Sequence, residues 1–565
     1  MFYLKRTGEV VIFIEKKMLN KYLKILVVSI FIILVAIQAN KSFVLDEVDF
    51  PIVAHETSQT LKPIYYRGEG SESHLGIYHP TLYINSLALF IKGFGFSEVS
   101  VRLFGAICVL LSAYLLLLIL RQLIKKNVMA EVLLLGLYLL NPYTIANATL
   151  PDIDSTVLPV VILLFIYISL KYLLQKKDMS KRVVLILALL FALALWAKLT
   201  TPLIIPIFLA CLAIITSKNY KKSLIFTLKV TLTGFVIFVF TYYLYCKLLS
   251  LPTTYTYTFL VDSFTKGTST DGPIKGAIKN LENIRHFVYW VTLPIVGLFG
   301  VSFIGVMGDK DKNEKTQIKK LLVLMGLLVT VFYIALIAPF GGFFKYPFPV
   351  FGILILTVVL FYDQHFKNKK INPLKVVLAI LAGFSIEKIF WGDVMFLNAK
   401  PFHGRTILLL TIIVSYFILK KLNQSTATNL FVLFILFSIG FQTSISRVQA
   451  TSPYPTKYLY GQIGMDQTTA YLRSNTSPDE VIWSMKDVGY YVNNRYYESY
   501  TYYFDKSRQA NLVKLLNDGK VKYYIVTTGI GQDNIDYYSD TKQILDSHAV
   551  RDKQFGNFVI YKSKE

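Results

Sequence analysis

The stretch KILVVSIFIILVAIQANKSFVLDEVDF, residues 24–50, joins a long apolar segment to a group of carboxylates. The apolar part, residues 23–40, is long enough to cross the hydrocarbon core of a bilayer, which is about 30 Å thick. Asp46, Glu47 and Asp49 follow shortly after it. The stretch therefore predicts an uncleaved membrane anchor, with acidic side chains where the chain leaves the membrane.

The composition extends this prediction to the whole chain. Of its 565 residues 54% are hydrophobic and only 17% are charged, whereas about 25% of a soluble protein is charged. The net charge is +24, and lysines and arginines cluster in short loops between apolar runs, which is typical of cytoplasmic loops and argues against nucleic-acid binding. Cys108, Cys211 and Cys246 all lie in apolar runs, so neither a disulfide framework nor a cysteine metal site is predicted.

The apolar runs predict a polytopic, all-α membrane protein of about thirteen transmembrane helices. The predicted spans are residues 23–40, 100–120, 128–147, 155–174, 183–197, 203–216, 223–247, 287–308, 319–339, 347–363, 373–391, 405–419 and 427–446. Two of them, 183–197 and 203–216, are short and could instead form a re-entrant hairpin. That change would leave the orientation of the other spans unaltered.

The distribution of basic residues decides the orientation. Residues 80–96 are short and broken by Gly93 and Gly95, and we expect them to lie in the interface. The loops that then face the cytoplasm hold 22 lysines and arginines, whereas the opposite short loops hold Lys198, Lys345 and Lys400. This bias predicts a multi-pass protein of the cell membrane with a cytoplasmic N-terminus and two large outer loops, 41–99 and 248–286.

The composition changes after the last span. We therefore predict a transmembrane domain at 1–449 and a small extracytoplasmic α/β domain at 450–565. The segments EVIWSM, VKYYIVTTG and FVIYKS have the pattern of strands. The segments DQTTAYLRS and SRQANLVKLLNDG have the pattern of amphipathic helices, and Gly519 ends the second.

Ionisable groups beside apolar segments are costly, so each calls for a role. Four such places lie on the predicted outer side: Asp46, Glu47 and Asp49 on a short surface helix interrupted by Pro51; Asp152 and Asp154 between two spans; Lys198 between the next two; and Lys345 with Tyr346 before a later span. A carboxylate can take a proton from an acceptor hydroxyl, and lysines can hold a phosphate through charge-assisted hydrogen bonds. The residues alone indicate an outer-face site with acids and bases.

Each of these residues also has a simpler interpretation. Asp46 could cap the surface helix, and Asp152 could cap a span. Lys198 and Lys345 could be boundary lysines whose stems lie along apolar surface. His79 shows no metal-like spacing to the other histidines. Residue chemistry leaves these alternatives open.

The order of these features resembles the GT-C membrane glycosyltransferases, in particular the branch of the protein O-mannosyltransferases and lipid A aminoarabinose transferases. The resemblance covers essentially the whole chain and consists of short motifs: LDEVDF with Asp46 and Glu47, YHPTLYINSLALFIKGFG with His79 and Pro80, SEVSVRLFGAI with Arg102, DIDSTV with Asp154, WAKLTTP with Lys198, and KYPFP with Lys345 and Tyr346. The chain departs from the family pattern at Thr81, where relatives often have a second proline.

The resemblance implies an enzyme that transfers a monosaccharide, with inversion, from a polyprenyl-phosphate donor to a hydroxyl acceptor on protein, lipid or cell-wall polymer at the outer face. It implies the following roles: Asp46 as general base with Glu47 and Asp154 as further catalytic residues; Lys198, Lys345, Arg102 and Tyr346 at the donor phosphate; and Asp49, His79 and Asp152 at the substrate. No metal ligand is assigned, although the carboxylate cluster would permit a divalent cation.

Two functions other than sugar transfer would require a different distribution of charged residues. An exporter or flippase of lipid-linked sugars would be expected to bury ionisable groups near the bilayer midplane, whereas here they gather at the predicted outer ends of the spans. A binding or assembly protein that recruits cell-wall partners would leave the carboxylates after the first span unexplained.

Overall fold

The fold was analysed in a computed structural model. It describes residues 3–4, 10–11, 16–41, 43, 46–65, 67–69, 79–253, 287, 291–336, 345–366, 373–391, 424–451, 464–499, 506–527 and 535–564. The predicted span 405–419 and most of the predicted outer loop 248–286 lie outside these residues, as do the side chains of Asp46 and Glu47.

Helices account for most of the chain before residue 452. Helices α1 to α10 are Lys16–Ala39, Asp46–Thr60, Leu82–Phe94, Glu98–Leu123, Val128–Leu139, Pro142–Thr149, Val157–Ser169, Lys181–Ala197, Ile204–Ser217 and Tyr220–Leu248. Helices α11 to α15 are Leu293–Met307, Glu314–Leu336, Phe348–Phe366, Pro373–Trp391 and Gln424–Thr451. Strands β1 and β2 (Tyr3–Leu4 and Val10–Val11) pair antiparallel at the N-terminus.

Within the described part of the chain, seven helices are long and apolar enough to cross a membrane. They are Lys21–Ala39, Glu98–Leu123, Val157–Gln175, Tyr220–Leu248, Glu314–Ile334, Phe348–His365 and Asn429–Arg447. Counting one bent pair as a single span raises this number to eight, and the described chain also has four shorter apolar helices of 10–17 residues. The polytopic helical fold is confirmed. The described helices are compatible with thirteen transmembrane spans, and that count stays a prediction.

The predicted span 128–147 is a bent pair rather than one helix. Helices α5 and α6 meet at an angle of 59°. Asn141 caps α6 by accepting a hydrogen bond from the Tyr143 backbone N–H, and Pro142 begins the helix. Proline is well suited to the first position of a helix and unsuited to the interior, so the sequence restarts the helix here in a new direction.

Helix α2 differs from the prediction, because it continues from Asp46 to Thr60 with Pro51 inside it. The predicted interruption at Pro51 is therefore wrong. A proline removes one backbone hydrogen bond and strains the preceding turn. Against this cost, Ile52 is buried, and the Phe50 ring packs edge-on against Tyr83 of α3 at 5.2 Å, so packing of α2 against α3 keeps the helix continuous.

The C-terminal domain is an α/β unit built on a five-stranded sheet. Its elements in chain order are α16 (Met465–Asn475), β3 (Val481–Ser484), α17 (Lys486–Val492), β4 (Arg495–Glu498), α18 (Lys506–Asn517), β5 (Val521–Thr527), α19 (Ile535–His548), β6 (Ala549–Phe555) and β7 (Phe558–Ser563). The strand order is β4-β3-β5-β7-β6. Strands β4, β3 and β5 are parallel, and β7 is antiparallel to both β5 and β6.

Alternation along the strands places a separate core on each face of this sheet. Trp483 and Tyr524 lie on one face with Leu512 of α18. The neighbouring residues Ile482 and Ile525 lie on the other face, in the core to which α16 and α17 contribute. The domain therefore has its own hydrophobic cores, independent of the membrane helices.

Close packing of α4 against α6 depends on Gly105. A Cβ atom at this position would lie 2.4 Å from the carbonyl oxygen of Ala148. We expect Gly105→Ala to destabilise the protein by about 1–3 kcal/mol through overpacking. Gly93→Ala is the matched control, because a Cβ there meets no atom within 4 Å. Thermal unfolding of both variants in detergent tests this, and equal melting temperatures would contradict it.

Candidate active site

A short turn between α6 and α7 presents two buried carboxylates. Asp152 and Asp154 are 5% and 3% exposed. The Asp154 backbone N–H donates to Asp152 Oδ1 at 2.9 Å, and the Thr156 hydroxyl donates to the Asp152 carbonyl at 2.6 Å. Aspartate readily closes such local turns with its own side chain, so the sequence PDIDST forms a turn that fixes the Asp152 carboxyl group and carries Asp154 beside it.

Lys198 follows the end of α8 and pairs with Asp154. Its Nζ lies 2.7 Å from each carboxylate oxygen of Asp154, and the lysine is only 4% exposed. The ammonium also lies 4.7 Å from the ring centroid of Tyr346 and 5.5 Å from that of Tyr333. Electron-rich ring faces attract cations, so two aromatic rings and one carboxylate compensate the buried charge.

Lys345 forms a second ion pair beside the first. Its Nζ lies 2.6 Å from Asp152 Oδ2, and its side chain keeps 13% of its surface exposed. The turn between α6 and α7 thus holds one lysine on each aspartate. The four formal charges of the two pairs cancel.

These contacts shift the pKa values of Asp152, Asp154 and Lys198. Burial raises the pKa of Asp154 to about 6, against the opposing effect of the Lys198 ammonium. Burial would also raise the pKa of Asp152, but the charge of Lys345 holds it below its usual value. Burial would lower the pKa of Lys198, and the charge of Asp154 instead raises it above its usual value. At neutral pH Asp152, Asp154 and Lys198 are therefore mainly ionised.

His79 lies beside the two ion pairs, just before α3. Part of its surface remains exposed. Burial of the imidazole and repulsion by Lys198 lower its pKa to about 3, with a smaller opposing effect from Asp152. His79 is therefore neutral at physiological pH.

Tyr333 of α12 belongs to the site although sequence reasoning missed it. Its ring stacks on Tyr346 with centroids 5.8 Å apart and planes 13° from parallel, and its hydroxyl hydrogen-bonds Thr201. A tyrosine within an apolar span has no sequence pattern that distinguishes it from a core residue. Only the fold brings it to Lys198.

Arg102 lies where the ends of α1 and α6 meet, and it contacts backbone carbonyls there. Its guanidinium donates to backbone carbonyls of Thr149 at 3.2 Å, of Ala39 at 3.1 Å and of Lys41. The residue is only 1% exposed. These contacts tie the end of α1 to the end of α6, directly before the turn with the two aspartates, and the predicted contact of Arg102 with phosphate stays a prediction.

The acidic group after the first span lies at the start of α2. The helix begins at Asp46, whereas the positions of the Asp46 and Glu47 side chains lie outside the described structure. Asp49 forms an ion pair with Lys486 of the C-terminal domain. Among the residues that the structure describes, no group of three or more histidine, cysteine or carboxylate side chains is arranged to hold a metal ion.

The buried pair of Lys198 and Asp154 predicts a non-additive effect on stability. Lys198→Met leaves a buried carboxylate without its ammonium partner, which typically costs about 3–5 kcal/mol. The double variant Asp154→Leu/Lys198→Met removes both charges, and we expect it to recover most of that loss in thermal unfolding. A double variant as unstable as the sum of the two single variants would contradict the pairing.

Comparisons with known proteins agree with the predicted resemblance. Residues 78–243 match the family model of dolichyl-phosphate-mannose-protein mannosyltransferases. ArnT from Cupriavidus metallidurans superposes with a TM-score of 0.62 in the apo state, at 15% identity, covering 97% of this chain and 98% of ArnT. ArnT bound to undecaprenyl phosphate gives a TM-score of 0.60 at 13% identity, covering 96% of this chain and 98% of ArnT.

No curated protein matches the sequence significantly. At these identities the likeness to ArnT shows the fold, and the matched family segment contains His79, Arg102, Asp152, Asp154 and Lys198. The family match and the fold together support a membrane glycosyltransferase and give no support to the exporter alternative. The chain has the fold of the GT-C membrane glycosyltransferases of the protein O-mannosyltransferase and ArnT type, as the order of its motifs predicts.

Proposed function

We propose that the protein transfers a monosaccharide from a polyprenyl-phosphate donor to an acceptor hydroxyl at the extracytoplasmic face of the membrane, with inversion. The observation that carries this proposal is the pair of lysines, Lys198 and Lys345, held side by side by the two aspartates of one turn. A site with two fixed ammonium groups suits a phosphate group.

The two ammonium groups of this site differ in exposure. Lys198 hydrogen-bonds both carboxylate oxygens of Asp154, and Lys345 hydrogen-bonds Asp152. Lys345 is the more exposed of the two, so we assign it the first contact with the donor phosphate. Lys198 and Tyr346 would complete the binding of the phosphate.

The acceptor base would come from the start of α2. Arg102 ties Lys41, in the chain that leads into α2, to Thr149 at the end of α6, which supports a base from the start of α2, where Asp46 is the predicted group. Asp46 would take the hydroxyl proton while the acceptor oxygen bonds to the anomeric carbon. The bond from that carbon to the phosphate oxygen would break, with its electron pair leaving on polyprenyl phosphate.

The remaining predicted roles follow from this arrangement. Glu47 would assist Asp46, and Asp154 would keep Lys198 charged and oriented. Neutral His79 and Asp152 would contact the bound substrate. The bias of basic residues in the loops supports a cytoplasmic N-terminus, with the site and the C-terminal domain outside. The solved complex of ArnT with undecaprenyl phosphate supports a polyprenyl-phosphate donor for this chain.

The base is tested by Asp46→Asn in membranes supplied with a panel of radiolabelled polyprenyl-phosphate sugars. We expect transfer to fall by about 100-fold or more, because an amide cannot accept the proton. Glu56→Gln is the matched control, since it neutralises another carboxylate of α2 and should leave transfer within about twofold. Transfer unimpaired in Asp46→Asn would move the base to another carboxylate. Translocation of intact donor without transfer would overturn the proposed function.

The donor site is tested by binding of polyprenyl phosphate, measured as thermal stabilisation of the purified protein. We expect Lys345→Met to weaken binding about tenfold or more, because a charged hydrogen bond contributes about 1.5–3 kcal/mol. Lys345→Arg keeps the charge and controls for folding. Lys247→Met removes an exposed lysine at the end of α10 and should bind normally. Equal stabilisation of Lys345→Met and wild type would contradict the assignment.

A further inference from the structure

Helix α17 of the C-terminal domain contacts the chain on both sides of the predicted base. The Lys486 ammonium pairs with Asp49, three residues after Asp46 on the same helix. The Tyr491 hydroxyl accepts a hydrogen bond from the Phe43 backbone N–H and donates to the Glu98 carboxylate at 3.1 Å. These two contacts anchor the chain before α2 and the first turns of α2 itself.

Aromatic rings extend the same contact. Tyr490 packs edge-on against Phe96 with centroids 5.6 Å apart, and it lies 6.2 Å from the ring of Phe43. Phe96 stacks in turn on His55 of α2, at 4.3 Å between centroids and 11° between planes. Helix α2 is therefore joined to α17 through its middle as well as its start.

A second contact holds the chain that follows α2. Residues 67–69 run beside β4, the edge strand of the C-terminal sheet, with a bridge between Gly68 and Tyr496. The Tyr496 N–H donates to the Arg67 carbonyl at 3.1 Å, and the Glu69 N–H donates to the Tyr496 carbonyl at 2.8 Å. The Arg495 guanidinium pairs with Glu69 at 2.5 Å. The C-terminal sheet thus fixes the far end of the segment that carries α2.

We propose that Lys486 is a positioning residue for the transfer reaction, acting through Asp49 to fix the first turn of α2 and therefore the position of Asp46. This inference rests on the proposed function. It assigns Asp49 an orienting role where the family resemblance implied contact with substrate. A shift of about 1 Å in a catalytic group can cost about 100-fold in rate, so an ion pair one helical turn away matters more for the rate than for stability.

The C-terminal domain does not depend on Lys486 for its own fold. Its cores lie on the two faces of the sheet and are centred on residues such as Trp483 and Ile482. Lys486 lies at the surface of the domain, where it pairs with Asp49 and keeps 19% of its side-chain surface exposed. Its ammonium lies 5.5 Å from the centroid of the Tyr65 ring. Loss of its charge should loosen docking while the domain stays folded.

Kinetics of the full-length protein form the first part of the test. We expect Lys486→Met to lower kcat about 10- to 100-fold, with the KM for the lipid donor nearly unchanged, because the proposed phosphate contacts lie elsewhere. Lys486→Arg keeps the charge and should retain kcat within about threefold. Lys542→Met breaks a pair with Asp546 inside the C-terminal domain and should behave as wild type. Equal loss of kcat in Lys486→Met and Lys486→Arg would overturn the proposal.

Hydrogen exchange forms the second part and needs no transfer activity. In Lys486→Met we expect faster exchange over residues 46–56, and unchanged exchange over the core strand residues 523–526. Unchanged exchange over residues 46–56 in Lys486→Met would overturn the proposal. Faster exchange over these residues with kcat retained would also overturn it. So would faster exchange over both residues 46–56 and the core strand residues 523–526. If wild type transfers no sugar, the proposed function fails, and the exchange result alone decides whether Lys486 holds α2.

Discussion

Two lysines, Lys198 and Lys345, each pair with an aspartate that one short turn presents at one end of the helical bundle. Taking an ammonium out of water costs several kcal/mol unless a carboxylate compensates it. The pairs Lys198–Asp154 and Lys345–Asp152 meet this requirement and draw together the turn after α6, the end of α8 and the start of α13. The closing of the bundle at this end therefore depends on the same charges that we assign to the donor phosphate.

The proposed base, Asp46, belongs to a segment that is held by a different set of contacts. It lies on α2, a helix that packs on α3 and is bounded on one side by the membrane helices and on the other by the C-terminal domain. Arg102 ties the approach to α2 onto the bundle, and Lys486 with Tyr491 ties it to the domain. In the proposed reaction the phosphate site thus lies in the helical bundle, whereas the base lies on a segment held between the bundle and the C-terminal domain.

The sequence predicted the individual parts well and their connections poorly. Hydropathy predicted each of the seven long apolar helices that the structure describes. Charge beside apolar segments drew attention to Asp152, Asp154, Lys198 and Lys345, which the structure brings together. Which lysine pairs with which aspartate could not be read, since Lys345 and Asp152 lie 193 residues apart. Helix continuity through Pro51 depends on packing against α3, which no local pattern reveals. Strand β6 was missed because residues 550–554 carry three charged side chains in the sequence VRDKQ, a composition more typical of loops.

The central claim, that the paired lysines form the donor phosphate site, is tested most directly by photolabelling. A polyprenyl phosphate with a photoreactive group near its phosphate would be bound to the purified protein, and the labelled peptides would be identified by mass spectrometry. The account predicts labelling of peptides that contain Asp152–Asp154 or Lys345–Tyr346, suppressed by excess unlabelled polyprenyl phosphate. Labelling confined to other helices, or unchanged by competition, would contradict it.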